Sequence, residues 1–147
     1  MTHFEGDESF SLPVAEVAAK LSDAAFLVSC LRDAQVSTAT PDRAAWKLKP
    51  KLSFLSGSLD AVLTVVAREP GKSASFQVVT KAIGASGTVM AQLSFQEANG
   101  GTTVHWTGDL VEMTGLLKMV SKGLIQSTAE KVIDDVWTAI TAKLNSK

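Results

Sequence analysis

The last third of the chain carries its clearest hydrophobic period. From Ile125 it reads IQSTAEKVIDDVWTAITAKL, with apolar residues at Ile125, Ala129, Val132, Ile133, Val136, Ile140 and Leu144. Steps of three and four place them along one side of a helix, predicted from about Gly115 to Leu144. Ahead of it the period changes to two. Trp46, Leu48, Leu52 and Phe54 share one parity, opposite Lys47, Lys49, Lys51 and Ser53. This reads as half-buried β structure with a bend at Pro50. The inward set continues with Leu59, Ala61, Leu63 and Val65, then Phe76, Val78 and Thr80. It ends with Val89, Ala91, Leu93 and Phe95, followed by Val104, Trp106 and Leu110.

Turn chemistry separates these runs. Glu69-Pro-Gly-Lys72 combines a preset φ with a residue that tolerates positive φ, and Asn99-Gly-Gly101 is a hairpin signal. Gly84-Ala-Ser-Gly87 reads as a third connection; it lacks the lysine and following helix of a phosphate loop. Near the start, Phe4 and Phe10 share a strand parity, with Gly6 as a bend. Pro13 then opens a helix bearing Val14, Val17, Ala18 and Leu21. Ser22 or Asp23 stops and recaps it before a second helix, Ala24 to Leu31. Short turns without crossover helices imply an antiparallel meander. A sheet that covers a helix about 30 Å long must curve around it, which leaves room for a hollow. The prediction is an α+β fold: a curved antiparallel sheet of six to seven strands around a long C-terminal helix, with two short helices after the first strand.

Composition narrows the function. A chain of 147 residues, 46% hydrophobic and 20% charged, suits one globular domain, residues 1–147. A net charge of −1 without a basic cluster argues against nucleic acid as a partner. The single cysteine, Cys30, excludes an intramolecular disulfide and any multi-cysteine metal site. In AAFLVSCLRD it reads as a buried, inert thiol. The N-terminus lacks the basic start and apolar core of a signal peptide, and no stretch approaches the ~20 apolar residues of a membrane span. A cytoplasmic location is expected.

Candidate chemistry is sparse. His3 lies near the terminus, and His105 alternates with Val104 and Trp106 and so points outward. Neither has a local metal-ligating partner, and no metal or cofactor is expected. Asp109 and Glu112 stand where strand gives way to helix, suited to surface or capping roles; Asp134 and Asp135 read as a solvated helix face. The aromatic residues carry more. Trp46, Phe54, Phe76 and Trp106 lie on separate strands at core parity, and Trp137 on the helix, as a core or as the lining of an apolar site. Between Thr114 and Ile125, Leu116, Leu117, Met119, Val120 and Leu124 exceed what one helical face buries, while Lys118 and Lys122 share a side. That strip suits a membrane interface, a partner protein or a buried entry to the helix. Gly115 and Gly123 would let it flex as a gate.

The stretches FEGDESFSLPVAEVAAKLSD, FLVSCLRDAQ and VHWTGDLVEMTGLLKMVSKGLI resemble the helix-grip fold of the START-like (Bet v 1-like, SRPBCC, polyketide cyclase) superfamily. Within it they are most similar to the family of the carbon monoxide dehydrogenase G subunit. That family's Cys-x-Pro-Gly turn departs here, with Arg32 and Asp33 in place of proline and glycine. The resemblance implies an architecture with a cavity and no shared catalytic signature. It further implies an accessory protein of a molybdenum hydroxylase, acting in maturation or membrane attachment through a bound lipid or quinone.

The leading expectation is a non-enzymatic module that binds a hydrophobic small molecule or lipid between sheet and helix. Its expected contacts are Trp46, Phe54, Leu63, Phe76, Val78, Leu93 and Trp106 from the sheet. From the gate and helix come Met113, Leu117, Leu124, Thr128 and Val132. One alternative is an accessory protein docking on an oxidoreductase or the inner membrane face through residues 115–125. The other is a cyclase- or hydrolase-like enzyme using Asp109, Glu112 or His105, which requires one of them to line the pocket.

Overall fold

The structure, a computed structural model, describes residues 2–31, 34–49, 58–82 and 84–145, with only the backbone for residues 116, 117 and 145. The chain begins with β1 (Thr2–Phe10), followed by α1 (Val14–Leu21) and α2 (Ala24–Ser29). Six strands follow: β2 (Gln35–Ala39), β3 (Arg43–Leu48), β4 (Leu59–Glu69), β5 (Ser73–Ala82), β6 (Ala85–Ala98) and β7 (Gly101–Gly115). A 3-10 turn, Leu116–Met119, leads into α3 (Lys122–Asn145). The seven strands form one antiparallel sheet in the order β1-β7-β6-β5-β4-β3-β2. This is the expected helix-grip architecture.

Three register shifts shape the sheet. They fall at Ser37, Val66 and Val111, where one strand carries an extra residue. Such bulges bend a strand and increase its twist, which a sheet needs in order to wrap a helix. They also explain two apolar side chains on the surface, since Val66 is 54% and Val111 45% exposed. Away from the bulges the predicted parity holds: Val65, Phe76 and Ala91 are opposite one another across β4, β5 and β6.

The main core sits where the end of α3 meets α1 and the sheet. Leu21, Val17, Val104 and Leu144 are buried there beside Phe10, Leu93, Phe95 and Ile140. Trp137 packs against Phe10 and Trp106, with ring centroids 6.4 and 6.2 Å away. A smaller core of Ala24, Val28 and Ala44 holds α2 to β3, with Trp46, Leu63 and Val65 packed on it. Asp23 caps α2, accepting from the amides of Ala25 and Phe26. Arg68 fastens the helix pair to the sheet: it donates to the carbonyls of Ser22 and Pro41 and pairs with Asp42 at 3.0 Å.

Several local expectations change. The C-terminal helix starts at Lys122, because β7 continues to Gly115 and Ser121 caps the helix by accepting from the amide of Leu124. The edge strand β2 is an addition to the predicted set; its short polar sequence, with Val36 47% exposed, carries no inward period. Helix α2 ends at Ser29, short of Leu31. Ala82 pairs with Ala85, so Ser86 and Gly87 belong to β6 and not to the turn. The hairpin at Asn99-Gly100 forms as predicted, with φ of 53° and 82°. Leu52, Phe54 and the bend at Pro50 lie outside the described residues. Gly6 is a seat and not a bend, since β1 runs unbroken through it. A Cβ there would lie 2.7 Å from Cζ2 of Trp106.

On the outer face, polar pairs tie β1 to β7. His3 lies 2.5 Å from Asp109, and His105 lies 2.9 Å from Asp7. Glu5 reaches both rings, at 3.3 and 3.6 Å. The hydrogen bond with Asp109 holds the His3 imidazole above its ordinary pKa of 6.5, and Glu5 adds to the effect.

Two outcomes follow from this packing. Gly6→Ala forces the Trp106 ring out of its seat and should destabilise the protein by about 1–3 kcal/mol in urea unfolding, the usual range for overpacking. The His3 pairing contributes most below pH 6.5 and is lost as pH rises through the elevated pKa. The stability gap between wild type and His3→Gln should therefore be larger at mildly acidic than at alkaline pH. An equal gap at both would remove the ion pair from the account.

Candidate functional site

The candidate site is the inner face of the sheet beneath α3, and the two ends of that face differ. Toward the β6–β7 hairpin, Phe76, Leu93, Phe95 and Val104 are 8% exposed or less. Toward the opposite end, Leu59, Leu63, Val78, Val89, Leu110 and Met113 point the same way and are only half-buried. The register makes these a continuous wall: Leu63 is opposite Val78, Val78 opposite Val89, and Val89 opposite Leu110. Only the first group lies under the helix end that is packed down.

Helix α3 explains the asymmetry. At about 100° per residue, Trp137 and Leu144 lie roughly 100–120° around the helix from Ile125. The buried stripe therefore winds as it runs, and Ile125, Trp137, Ile140 and Leu144 follow it. By the same count Leu124, Thr128 and Val132 share the opposite flank, at roughly −100°, −60° and −20°. Leu124 is 42% and Val132 50% exposed. Val132, expected on the buried side, is thus at its edge.

The twelve expected contact residues separate accordingly. Leu63, Val78 and Met113 belong to the half-buried wall, and Leu124, Thr128 and Val132 to the open flank of α3. Phe76 and Leu93 lie deeper, in the main core. Trp106 is held between Gly6 and Trp137, and Trp46 packs in the smaller core. Both indole N–H groups, on Trp46 and Trp106, are buried without a hydrogen-bond partner among the described residues. Phe54 lies outside the described residues, and of Leu117 only the backbone position on the 3-10 turn is described. Leu59, Val89 and Leu110 complete the wall and were absent from the expected contacts, although their parity already marked them as inward.

The polar candidates are elsewhere. His105 and Asp109 occupy the outer face in the pairs with Asp7 and His3, and Glu112 is exposed. Cys30 is buried, its thiol donates to the Phe26 carbonyl, and burial pushes its pKa above 9.0. Among the described residues, no three His, Cys, Asp or Glu side chains are placed to hold a metal ion, and no helix is long and apolar enough to cross a membrane.

Of the grooves that open on the surface, two are lined by none of the twelve. One, of about 400 Å³, runs between Ala15, Ala18 and Ala19 of α1 and Pro41, Arg68 and Pro70. The Arg68 guanidinium beside it is already committed to Ser22, Pro41 and Asp42. The other, of about 590 Å³, lies between Glu8 of β1 and Asp134, Thr138 and Thr141 of α3.

Comparison with solved structures places the fold among known relatives. A conserved protein of Geobacillus kaustophilus superposes with a TM-score of 0.82 at 17% identity, covering 97% of this chain and 94% of that one. A protein of Mycobacterium smegmatis gives 0.71 at 14% identity, covering 98% and 91%. DynU16, from the dynemicin biosynthetic locus, gives 0.62 at 14% identity, with 99% of this chain matching 48% of that larger one. No curated protein matches the chain. The profile for the carbon monoxide dehydrogenase G subunit (CoxG) matches residues 6–145. The match spans the sheet and all three helices, and by it the chain belongs to the CoxG family, that of the carbon monoxide dehydrogenase G subunit.

Proposed function

We propose that this protein is a non-enzymatic binding module for a hydrophobic small molecule, a lipid or a quinone, held between the inner face of the sheet and the first half of α3. The supporting observation is the half-buried apolar wall of Leu63, Val78, Val89, Leu110 and Met113. Complete burial of such a side chain contributes about 1.5–3 kcal/mol, and a half-buried one retains roughly half of that. A ligand covering five of them gains several kcal/mol before the cost of ordering it. Phe76, Leu93 and Trp106 form the firm base of the site, and Leu124, Thr128 and Val132 its edge.

Native mass spectrometry of gently purified protein, with solvent extraction of what travels with it, tests the reading. The expected result is a stoichiometric apolar adduct. Val78→Trp should fill the space, leaving the melting temperature nearly unchanged while removing the adduct. If the wall is instead packed by the protein's own side chains, the same substitution overpacks it and destabilises by about 1–3 kcal/mol. That outcome, with no adduct on the wild type, sinks the proposal.

A second reading joins the family's name, that of a carbon monoxide dehydrogenase subunit, to what the sequence resemblance implies: an accessory protein of this molybdenum hydroxylase, acting in its maturation or membrane attachment. The exposed apolar residues Met119 and Leu124 favour it. The dehydrogenase should then co-purify with the wild-type protein and be lost with the Leu117→Ser, Met119→Ser variant. Equal recovery by both would exclude residues 115–125 as the contact.

A further inference from the structure

Position 108 is a glycine that neither backbone conformation nor packing requires. Gly108 lies in the interior of β7, on the inner face, opposite Phe4 of β1 and Ala91 of β6. Its φ is outside the left-handed region; the described glycines with positive φ are Gly71, Gly84, Gly100 and Gly115. The residue is buried, yet apart from its chain neighbours no heavy atom among the described residues lies within 4 Å of where its Cβ would be. Gly6, diagonally across the β1–β7 ladder, is the contrast, since the Trp106 indole comes within 2.7 Å of its Cβ position. A strand glycine without a turn or a packing contact weakens the sheet, and such positions often mark a close approach of ligand to backbone.

A hydrogen-bond donor adjoins this space. Trp106 precedes Gly108 by two residues on the same face, and its indole N–H is buried without a partner among the described residues. Nε1 lies 3.1 Å from the Cβ position of Gly6. Gly6 and Phe4 are successive inner-face positions of β1, so the N–H and the space over Gly108 border the same stretch of ladder. A buried donor without an acceptor is costly, and a ligand oxygen would offset that cost. The sheet positions around Gly108 carry no charge: Phe4 and Ala91 are opposite, and Trp106 and Leu110 precede and follow it. A carboxylate, phosphate or ammonium group would lack a counter-charge there. We propose that Gly108 seats the polar end of the ligand, a neutral oxygen that accepts from the Trp106 N–H. The apolar body then runs along Leu110, Val89 and Val78, which adjoin Gly108 and Ala91 on the same face. The inference rests on the ligand-binding reading and narrows its class to an apolar ketone, ester or ether, as against a hydrocarbon or a free fatty acid.

Native mass spectrometry of Gly108→Ala and Gly108→Val, with equilibrium dialysis of two probes, tests it. The probes are 9-fluorenone and fluorene, which share a ring frame and differ by one carbonyl oxygen. Gly108→Ala should melt no lower than the wild type, because its methyl enters open space and the unfolded chain loses freedom. Both variants should lose the extracted adduct, and their affinity for fluorenone should fall by about tenfold or more, as when one carbon too many fills an apolar pocket. The wild type should prefer fluorenone to fluorene by about two- to tenfold, the worth of one hydrogen bond, and Trp106→Phe should erase that preference. Each variant is first shown to be folded by circular dichroism. Melting of Gly108→Ala well below the wild type, or an adduct and affinity unchanged in both variants, overturns the seat. An adduct without oxygen, or equal wild-type affinity for both probes, overturns the hydrogen bond. A wild type that carries no adduct and binds neither probe sinks the ligand-binding reading and this inference with it. An adduct that Gly108→Val retains leaves that reading intact and removes Gly108 from the site.

Discussion

Where α3 crosses β1 and β7, the indole of Trp137 packs against Phe10 and Trp106, and Trp106 in turn sits over the backbone of Gly6. Everything else about the helix is arranged around this stack. Beyond it, Ile140 and Leu144 complete the main core, and Lys143 donates to Ser29 of α2 at 2.6 Å. Phe26 has Lys143 on its ring and Lys20 of α1 as well, each 5.8 Å from the centroid. The C-terminal half of α3 is therefore joined to β1, α1 and α2 at once. Its N-terminal half has Ile125 as its one buried side chain among the described residues, with Leu124 and Val132 open to solvent.

This division carries through to the sheet. Strand residues under the anchored half of the helix are buried, while those of the same parity under the other half remain half-buried. Bulges at Val66 and Val111 turn the strands around the helix, and each leaves one apolar residue outside as a consequence. The polar chemistry is segregated to the convex side, where His3, His105, Glu5, Asp7 and Asp109 knit the edge strand β1 to β7. A strand at a sheet edge needs such reinforcement, since only one of its sides is hydrogen-bonded to a neighbour.

The alternation of Leu59–Val65, Phe76–Thr80, Val89–Phe95 and Val104–Leu110 was legible because each strand has one buried and one wetter face, and that difference writes a period of two into the chain. The turns were legible where a residue type has a backbone reason to be there, as with Asn99-Gly100. Three features were not. Strand β2 is an edge strand held by ladder hydrogen bonds, so its side chains carry no burial signal. The start of α3 was misplaced because the apolar residues between Thr114 and Ile125 exceed what one helical face buries, so the run has no clear period; the cap at Ser121 was the available cue. The role of Gly6 is set by Trp106, about a hundred residues away, and no local pattern can announce a contact across the sheet. The site itself was partly legible. Parity marked Leu63, Val78, Val89 and Leu110 as inward, while Met113 joins the wall only because the bulge at Val111 reverses the parity of β7; whether an inward residue is covered depends on how the helix is pitched above it.

That pitch follows from the drift of the buried stripe along α3. Because Trp137 and Leu144 lie roughly 100–120° around from Ile125, a straight helix cannot present one narrow face to the sheet along its whole length. Anchoring the Trp137 end with two aromatic partners leaves the Leu124–Thr128–Val132 flank turned aside. Half-buried strand residues contribute less to stability than fully packed ones would. Loss of this kind is common where a fold retains room for something other than itself. Leu124 and Val132 stay open on the first half of α3, while the Trp137 stack holds its second half to β1 and β7.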